Sequence, residues 1–346
     1  MKLLLLLVNL LINNILTDEI KSSVINDEWL KFKTIYRPNG YNIDINEESM
    51  RRQIFELNYR LIVSHNREAD EGLQTYRLGV NEFTDWTDDE YANSLTLKLG
   101  SFADQEIQSS DQQYVDTITL PQSVDWRDKH VVTPVKDQKD CSACFAFSAI
   151  DTIESQLAIK TGKLEKLSVQ QILDCGNGLP DNLKSLICFI GGLMHESYEY
   201  IIKNGGIESE ERYPYIDNYG NCSYRSIYKK ATIGGYVNLT VGSEDALQHA
   251  VSTVGPIAAG INSSPKTFKL YKSGVYNDVQ CLNGRKNLSH AVVVVGYGVE
   301  NGQNYWLIKN SWNTTWGDQG YIKLARNANN TCGIATYALY PTGVHP

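Results

Sequence analysis

The stretch Gln138-Lys139-Asp140-Cys141-Ser142-Ala143-Cys144-Phe145-Ala146-Phe147-Ser148 runs from a polar approach into an apolar helical pattern. Apolar spacing from Cys144 to Lys160 predicts a helix, and Gly162 is suited to end it. Cys144 then stands in the first turn, where unpaired backbone N–H groups and the positive end of the helix dipole favour an anion. Such a setting predicts a lowered thiol pKa and a nucleophilic thiolate. The Gln138 amide lies just upstream, suited to donate to a developing oxyanion. On residues alone other readings stay open, because Cys141-x-x-Cys144 also suits a structural disulfide, a redox pair or half a zinc site. Zinc needs a second Cys/His pair at matching spacing, which the sequence lacks. A redox pair fits poorly with an odd cysteine count.

Outward from this stretch the chain changes character. It has 346 residues, enough for one large or two ordinary domains, and its net charge of −8 leaves no polybasic footprint for nucleic acid. Met1-Lys2 and the apolar run Leu3 to Ile12, closed by Asp18 and Glu19, predict a signal peptide over residues 1–17. No later apolar run is long enough for a membrane span, so no membrane association is expected. All seven cysteines (141, 144, 175, 188, 222, 281 and 332) follow residue 140, and an odd number in an exported chain suggests three bridges and one free thiol. Asn-x-Ser/Thr triplets begin at Asn221, Asn238, Asn262, Asn287, Asn313 and Asn329. Between Glu47 and Asn66 a helical pattern sets Ile54, Phe55, Leu57, Leu61 and Ile62 on one broad face. Ser101 to Thr117 is polar and reads as an exposed, protease-accessible connector. From Leu120 the chain is rich in glycine and tyrosine, with buried strands predicted at Ala291 to Gly298 and Tyr305 to Lys309.

The segment Gln138 to Ser148 resembles the active-site segment of papain-family cysteine proteases, close to the cathepsin L branch. That family is marked by a short signature around its cysteine, and papain itself carries a thiol of low pKa. The resemblance implies that Cys144 is the nucleophile, Gln138 the oxyanion-hole glutamine and Cys141 a bridge cysteine. Lys139 and Ser142 stand where the family has glycines, and Phe145 where it has Trp or Tyr; these departures bear on rate and specificity. A lone histidine such as His290, at the head of an apolar strand, is more often structural. Its place 146 residues after Cys144 fits the family's base. Asn310, in Ile308-Lys-Asn-Ser-Trp-Asn-Thr-Thr-Trp-Gly317, resembles the asparagine that orients the imidazole, with Trp312 shielding it and Trp316 nearby. Asn313 replaces a family glycine.

The resemblance extends over essentially the whole chain after the signal. Glu47, Arg51, Phe55, Asn58, Ile62 and Asn66 match the ERFNIN pattern of cathepsin L-type propeptides, and Gly79-x-Asn81-x-Phe83-x-Asp85 matches its companion motif. The implied fold is α+β, a papain-like two-lobed body with one helical and one β-barrel-like lobe, preceded by a helical propeptide domain. The implied domains are 1–17 signal, 18–119 inhibitory propeptide and 120–346 peptidase, with maturation near Thr119 or Leu120. Loss of charge on carboxylates such as Asp85 or Glu47 would loosen the propeptide as pH falls. Carried-over disulfides are Cys141–Cys188, Cys175–Cys222 and Cys281–Cys332. Gly191 and Gly192 resemble the strip that pairs with substrate backbone. Leu193, Met194, Gly260, Leu288, Ala291 and Tyr337 would line the main pocket. All are uncharged, so an aliphatic P2 residue is expected, with Tyr337 shortening the floor in favour of Leu or Val over Phe.

The expected function is a cysteine endopeptidase of the lysosome or the exterior, made as an inactive precursor. It needs no cofactor and no metal. Expected partners are protein and peptide substrates, its own propeptide and cystatin-like inhibitors, and the expected state is a monomer. The rivals are a catalytically silent homologue with a binding role and a thiol oxidoreductase with a reversible Cys141–Cys144 bridge.

Overall fold

A computed structural model describes residues 20–40, 45–95, 119–176 and 183–346. The expected signal peptide and the connector from Ser101 to Thr117 lie outside the described residues.

Two helices, α1 (Ser22–Tyr36) and α2 (Ile45–Asp70), open the described chain. They cross where Trp29, Phe32 and Phe55 form a small aromatic core. On α2, Phe55 and Ile62 are buried and Ile54 and Leu61 half-buried, but Leu57 is 69% exposed. The apolar face is narrower than its pattern suggested: Leu57 lies about 200° around the helix from Phe55, beyond the stripe that meets α1. The chain then forms β1 (Tyr76–Leu78), which pairs antiparallel with residues Tyr271–Tyr276 of the body. Gly274 sits opposite Tyr76 at φ 85°, and a Cβ there would fall 2.5 Å from the Thr75 carbonyl, so close approach requires glycine. Helix α2 extends beyond the predicted Asn66, and α3 (Asp88–Ser94) follows, closed at its start by a Thr87–Glu90 capping box.

The body begins with β2 (Val124–Asp125) and the helix α4 (Cys144–Thr161), which ends at left-handed Gly162. Helices α5 (Val169–Cys175), α6 (Ile187–Ile190) and α7 (Met194–Asn204) pack with it into a helical lobe. A short ladder joins β3 (Ile207–Glu208) to β4 (Lys229–Ala231). The second lobe carries β5 (Gly235–Asn238), α8 (Glu244–Thr253), β6 (Ile257–Ile261), α9 (Lys266–Lys269) and β7 (Tyr271–Tyr276). It continues with β8 (His290–Glu300), β9 (Gln303–Lys309), β10 (Tyr321–Ala325) and β11 (Ala338–Thr342). The main path runs β1-β7-β10-β9-β8-β6-β11-β5, with β2 against β8. It stays open between β1 and β5, so the expected barrel-like lobe is an unclosed sheet. Its first strand belongs to the N-terminal segment.

Disulfides join Cys141–Cys188, Cys175–Cys222 and Cys281–Cys332, and Cys144 remains a thiol. Each closes a span of roughly fifty residues, a length for which a bridge contributes about 2–4 kcal/mol. Buried polar contacts also tie α4 to the sheet lobe. Lys136 and Lys309 both reach Asp151 at 2.7 and 2.6 Å, and Lys136 meets Glu154 at 2.7 Å. These charges are matched, so removing one partner costs more than the cluster contributes net.

Candidate active site

Cys144 is the first residue of α4, and the residue before it, Ala143, offers no side-chain cap. The uncapped amides of Cys144 and Phe145 therefore turn to the sulfur, together with the amide of Ala291. Ala291 follows His290, so the sulfur lies against the first residues of β8. Ser148 Oγ donates to the Val292 carbonyl at 2.7 Å and holds helix and strand in that register.

His290 Nε2 hydrogen-bonds Asn310 Oδ1 at 2.7 Å, and both residues are buried. The same oxygen accepts the Ser311 amide at 2.8 Å. An amide oxygen can only accept, so His290 is held with its proton on Nε2 and a lone pair on Nδ1. The Trp312 ring stacks on the imidazole, centroids 4.5 Å apart, and Trp316 stands edge-on to Trp312 at 5.1 Å. Gln138 is clasped to the same segment: its backbone N–H donates to the Ser311 carbonyl at 2.8 Å, and its Oε1 accepts from Ser311 Oγ at 2.8 Å. Its side-chain nitrogen donates to the Cys141 carbonyl at 3.0 Å. One N–H of that amide is thus engaged, leaving the second for an oxyanion. Ser311, which fixes the glutamine, was not singled out in the sequence, though it adjoins Asn310.

A lowered pKa was expected for the Cys144 thiol, and the structure reverses this. Burial pushes it up to about 11, although three backbone N–H groups pull the other way. Burial likewise pulls His290 down to about 4 against the opposing Asn310 bond. The helix-tip effect is real but smaller than the loss of water around a charge 1% exposed.

The departures around the site have local causes. Lys139 and Asn313 occupy left-handed backbone at φ 51° and 59°, which explains a glycine preference at both. Asn tolerates this region better than Lys. Phe145 is buried with its ring against Gly192, where a Cβ would approach within 2.7 Å. The buried Ser142 donates its amide to the Cys188 carbonyl at 3.0 Å.

Leu193, Met194, Leu288, Ala291 and Tyr337 fall in one apolar cluster with Cys144 and Phe145. Gly260 joins it by donating its amide to the Tyr337 carbonyl at 2.7 Å. Gly191, at φ 70°, and Gly192 lead into this group from the end of α6.

The N-terminal segment bears directly on the site. Phe83 and Tyr91 pack edge-on against Trp312, at 5.3 and 6.1 Å, and Tyr91 Oη donates to the Ser263 carbonyl at 2.7 Å. Asn81 donates to the Lys269 carbonyl at 2.8 Å. Ile62, Tyr76, Leu78, Phe83, Tyr91 and Leu95 belong to the same core as the sheet lobe. Within the segment Arg37 pairs with the buried Asp85 at 2.6 Å, and Asn58 and Asn66 hold the Thr84 and Leu78 carbonyls. Arg51 grips both oxygens of Glu90 at 2.6 Å, while Glu47, one turn earlier on α2, stands off at 3.4 Å. Glu90 is drawn down to about 2 by that pair.

Residues 120–342 match the family described as papain family cysteine protease, and residues 29–91 match the cathepsin propeptide inhibitor domain. Cathepsin S of Mus musculus is 45% identical over 300 residues, 86% of this chain and 85% of its own length. A cathepsin L-like peptidase of Aedes aegypti is 40% identical, covering 92% and 93%. Among solved structures, a digestive procathepsin L2 proteinase of Tenebrio molitor superposes with TM-score 0.83 at 38% identity, covering 92% of this chain and 99% of that one.

Proposed function

The chain belongs to the papain family of cysteine proteases, and from that premise we propose that Cys144 is the nucleophile of a zymogen, His290 its base and Asn310 the residue that orients the base. It is a cysteine endopeptidase whose N-terminal segment is an inhibitory propeptide. The observation that carries the residue assignment is the buried His290–Asn310 bond beneath Trp312, beside a sulfur held by the Ala291 amide.

The thiol proton passes to His290 Nδ1, and the thiolate adds to the peptide carbonyl. The oxyanion is held by the free N–H of Gln138 and the Cys144 backbone N–H. Protonated His290 then gives its proton to the leaving amine, and a thioester remains. Water, losing a proton to His290, adds to the thioester and expels the thiolate. Both partners of this ion pair are neutral in the closed chain, because burial disfavours each charge. Removal of the propeptide readmits water, and the pair ionises.

Cleavage near Thr119 or Leu120 separates propeptide and peptidase, in an acidic compartment of the secretory pathway or after export. Glu90 contributes to the acid response at its low end: its pair with Arg51 holds above pH 4.5 and weakens as pH falls toward 2. The apolar cluster around Tyr337 favours an aliphatic P2 side chain. Acidifying the recombinant precursor tests the core of this reading. The wild type is expected to shorten and to hydrolyse a Leu-P2 peptide, and Cys144→Ala to do neither; equal cleavage by Cys144→Ala would falsify it. A P2 scan with Arg or Pro best would overturn the pocket.

A further inference from the structure

His195, the second residue of α7, touches the pocket only through another side chain. Its Nδ1 lies 2.7 Å from Tyr337 Oη, and its backbone N–H donates to the same oxygen at 3.3 Å. Tyr337 is 2% exposed and stands among Leu193, Met194, Leu288 and Ala291. We infer that His195 is a positioning residue for the floor of this pocket, and that its protonation decides whether the Tyr337 hydroxyl offers a hydrogen to a substrate side chain. The inference rests on the proposed role of that cluster in holding P2.

A hydroxyl has one hydrogen and two lone pairs, and neutral imidazole has one accepting nitrogen. With Nδ1 unprotonated, Tyr337 donates to it and accepts from the His195 amide. The phenol hydrogen is then spent, and the floor is apolar to a ligand. When Nδ1 gains a proton it becomes a donor. Tyr337 Oη then accepts twice, from Nδ1–H and from the backbone N–H, and its own hydrogen must turn elsewhere. Glu196, the helix carboxylate whose charge acts on Tyr337, is turned to the Leu193 amide at 3.0 Å and makes no hydrogen bond to that hydroxyl among the described residues. The hydrogen is left among apolar side chains, where an unmet donor costs about 1–3 kcal/mol. A P2 side chain carrying an oxygen relieves that cost, and a purely aliphatic one does not. Acid thus shifts the preference toward P2 residues with an acceptor.

Several groups face the imidazole. Glu199, which accepts from Tyr236 Oη at 2.8 Å, favours its protonation, and Arg285 opposes it. The Tyr236 ring lies 6.4 Å away, and burial is the largest influence, lowering the pKa below the ordinary value. The transition therefore falls on the acid side of about 6.5.

Threonine and valine have the same shape and differ by one hydroxyl, so the kcat/KM ratio of P2-Thr to P2-Val peptides isolates the effect. On processed enzyme the ratio is expected to rise about five- to tenfold as pH falls from 7.5 to 4, along a single titration. In His195→Phe and in Tyr337→Phe it is expected to be flat with pH. A wild-type ratio that does not change, or a rise that persists in both variants, overturns the inference. Failure of wild type to cleave either peptide, while cleaving a Leu-P2 peptide, also overturns it. Failure on all three peptides, with no difference from Cys144→Ala, would instead remove the protease reading beneath it.

Discussion

At Cys144 a helix tip and a closed interior act in opposite directions, and the interior wins in the precursor. With the thiol near 11, roughly one sulfur in ten thousand is ionised at pH 7. Alkylation by iodoacetamide at pH 7 is therefore expected to be at least a hundredfold slower in the precursor than in the processed enzyme. Equal rates, read by mass spectrometry at Cys144, would mean that burial does not silence the thiol. His290 depends on Asn310 for its tautomer, as the oxygen fixes Nε2–H. Replacing Asn310 by Ala is expected to lower kcat about 10²-fold, within the usual range for general acid–base assistance, with a smaller change in KM. An unchanged kcat would show that the ring needs no orienting partner. Asn262, the head of one glycosylation triplet, is 4% exposed, and its amide donates to the Leu282 carbonyl and accepts from Ser264. A glycan has no room there.

At the scale of elements, α2 and α3 are joined by the Arg51–Glu90 pair. The folded carboxylate sits near 2, below its ordinary 4.5, so the pair supports the propeptide above pH 4.5 and that support is lost as pH falls toward 2. Both side chains are partly exposed, so solvent screens the pair and its contribution is modest. Glu90→Gln is expected to raise the pH at which the precursor is half processed by about one unit; an unshifted midpoint in a gel-based pH series would exclude this pair as the acid response. Glu82 works the other way. Burial lifts it to about 7 against a bond from Thr315 Oγ1 at 3.2 Å. A raised carboxylate favours the docked form at low pH and disfavours it above 7. Glu82→Gln is therefore expected to tighten inhibition at pH 7.5 and to leave pH 4.5 little changed, measured as residual peptidase activity of the precursor.

Across the whole molecule the propeptide is continuous with the body it inhibits. It supplies the edge strand β1, shares the core of the sheet lobe, and seats Tyr91 on the tryptophan that covers His290. Burying a side chain of this kind contributes about 2 kcal/mol, so Tyr91→Ala is expected to raise the leak activity of the precursor roughly thirtyfold. A leak unchanged from wild type, with an unaltered melting temperature, would place the inhibition elsewhere.

Much of this was written into contiguous sequence. The start of α4 at Cys144, its stop at Gly162, the head of β8 at His290 and the run into Asn310 follow from local periodicity and from motifs short enough to survive as text. The sequence resemblance also pointed to the inhibitory segment, since the spacing of Glu47 to Asn66 is a property of one helix. Tertiary structure alone decided the rest. Leu57 faces water because α1 covers a narrow stripe, and Arg51 takes Glu90 because a turn brings α3 onto α2. The Cys144 thiol is raised instead of lowered because burial is a sum over everything packed around an atom. His195 reaches Tyr337 across 142 residues. Periodicity reports what each element prefers; charge and hydrogen-bond state depend on which elements meet.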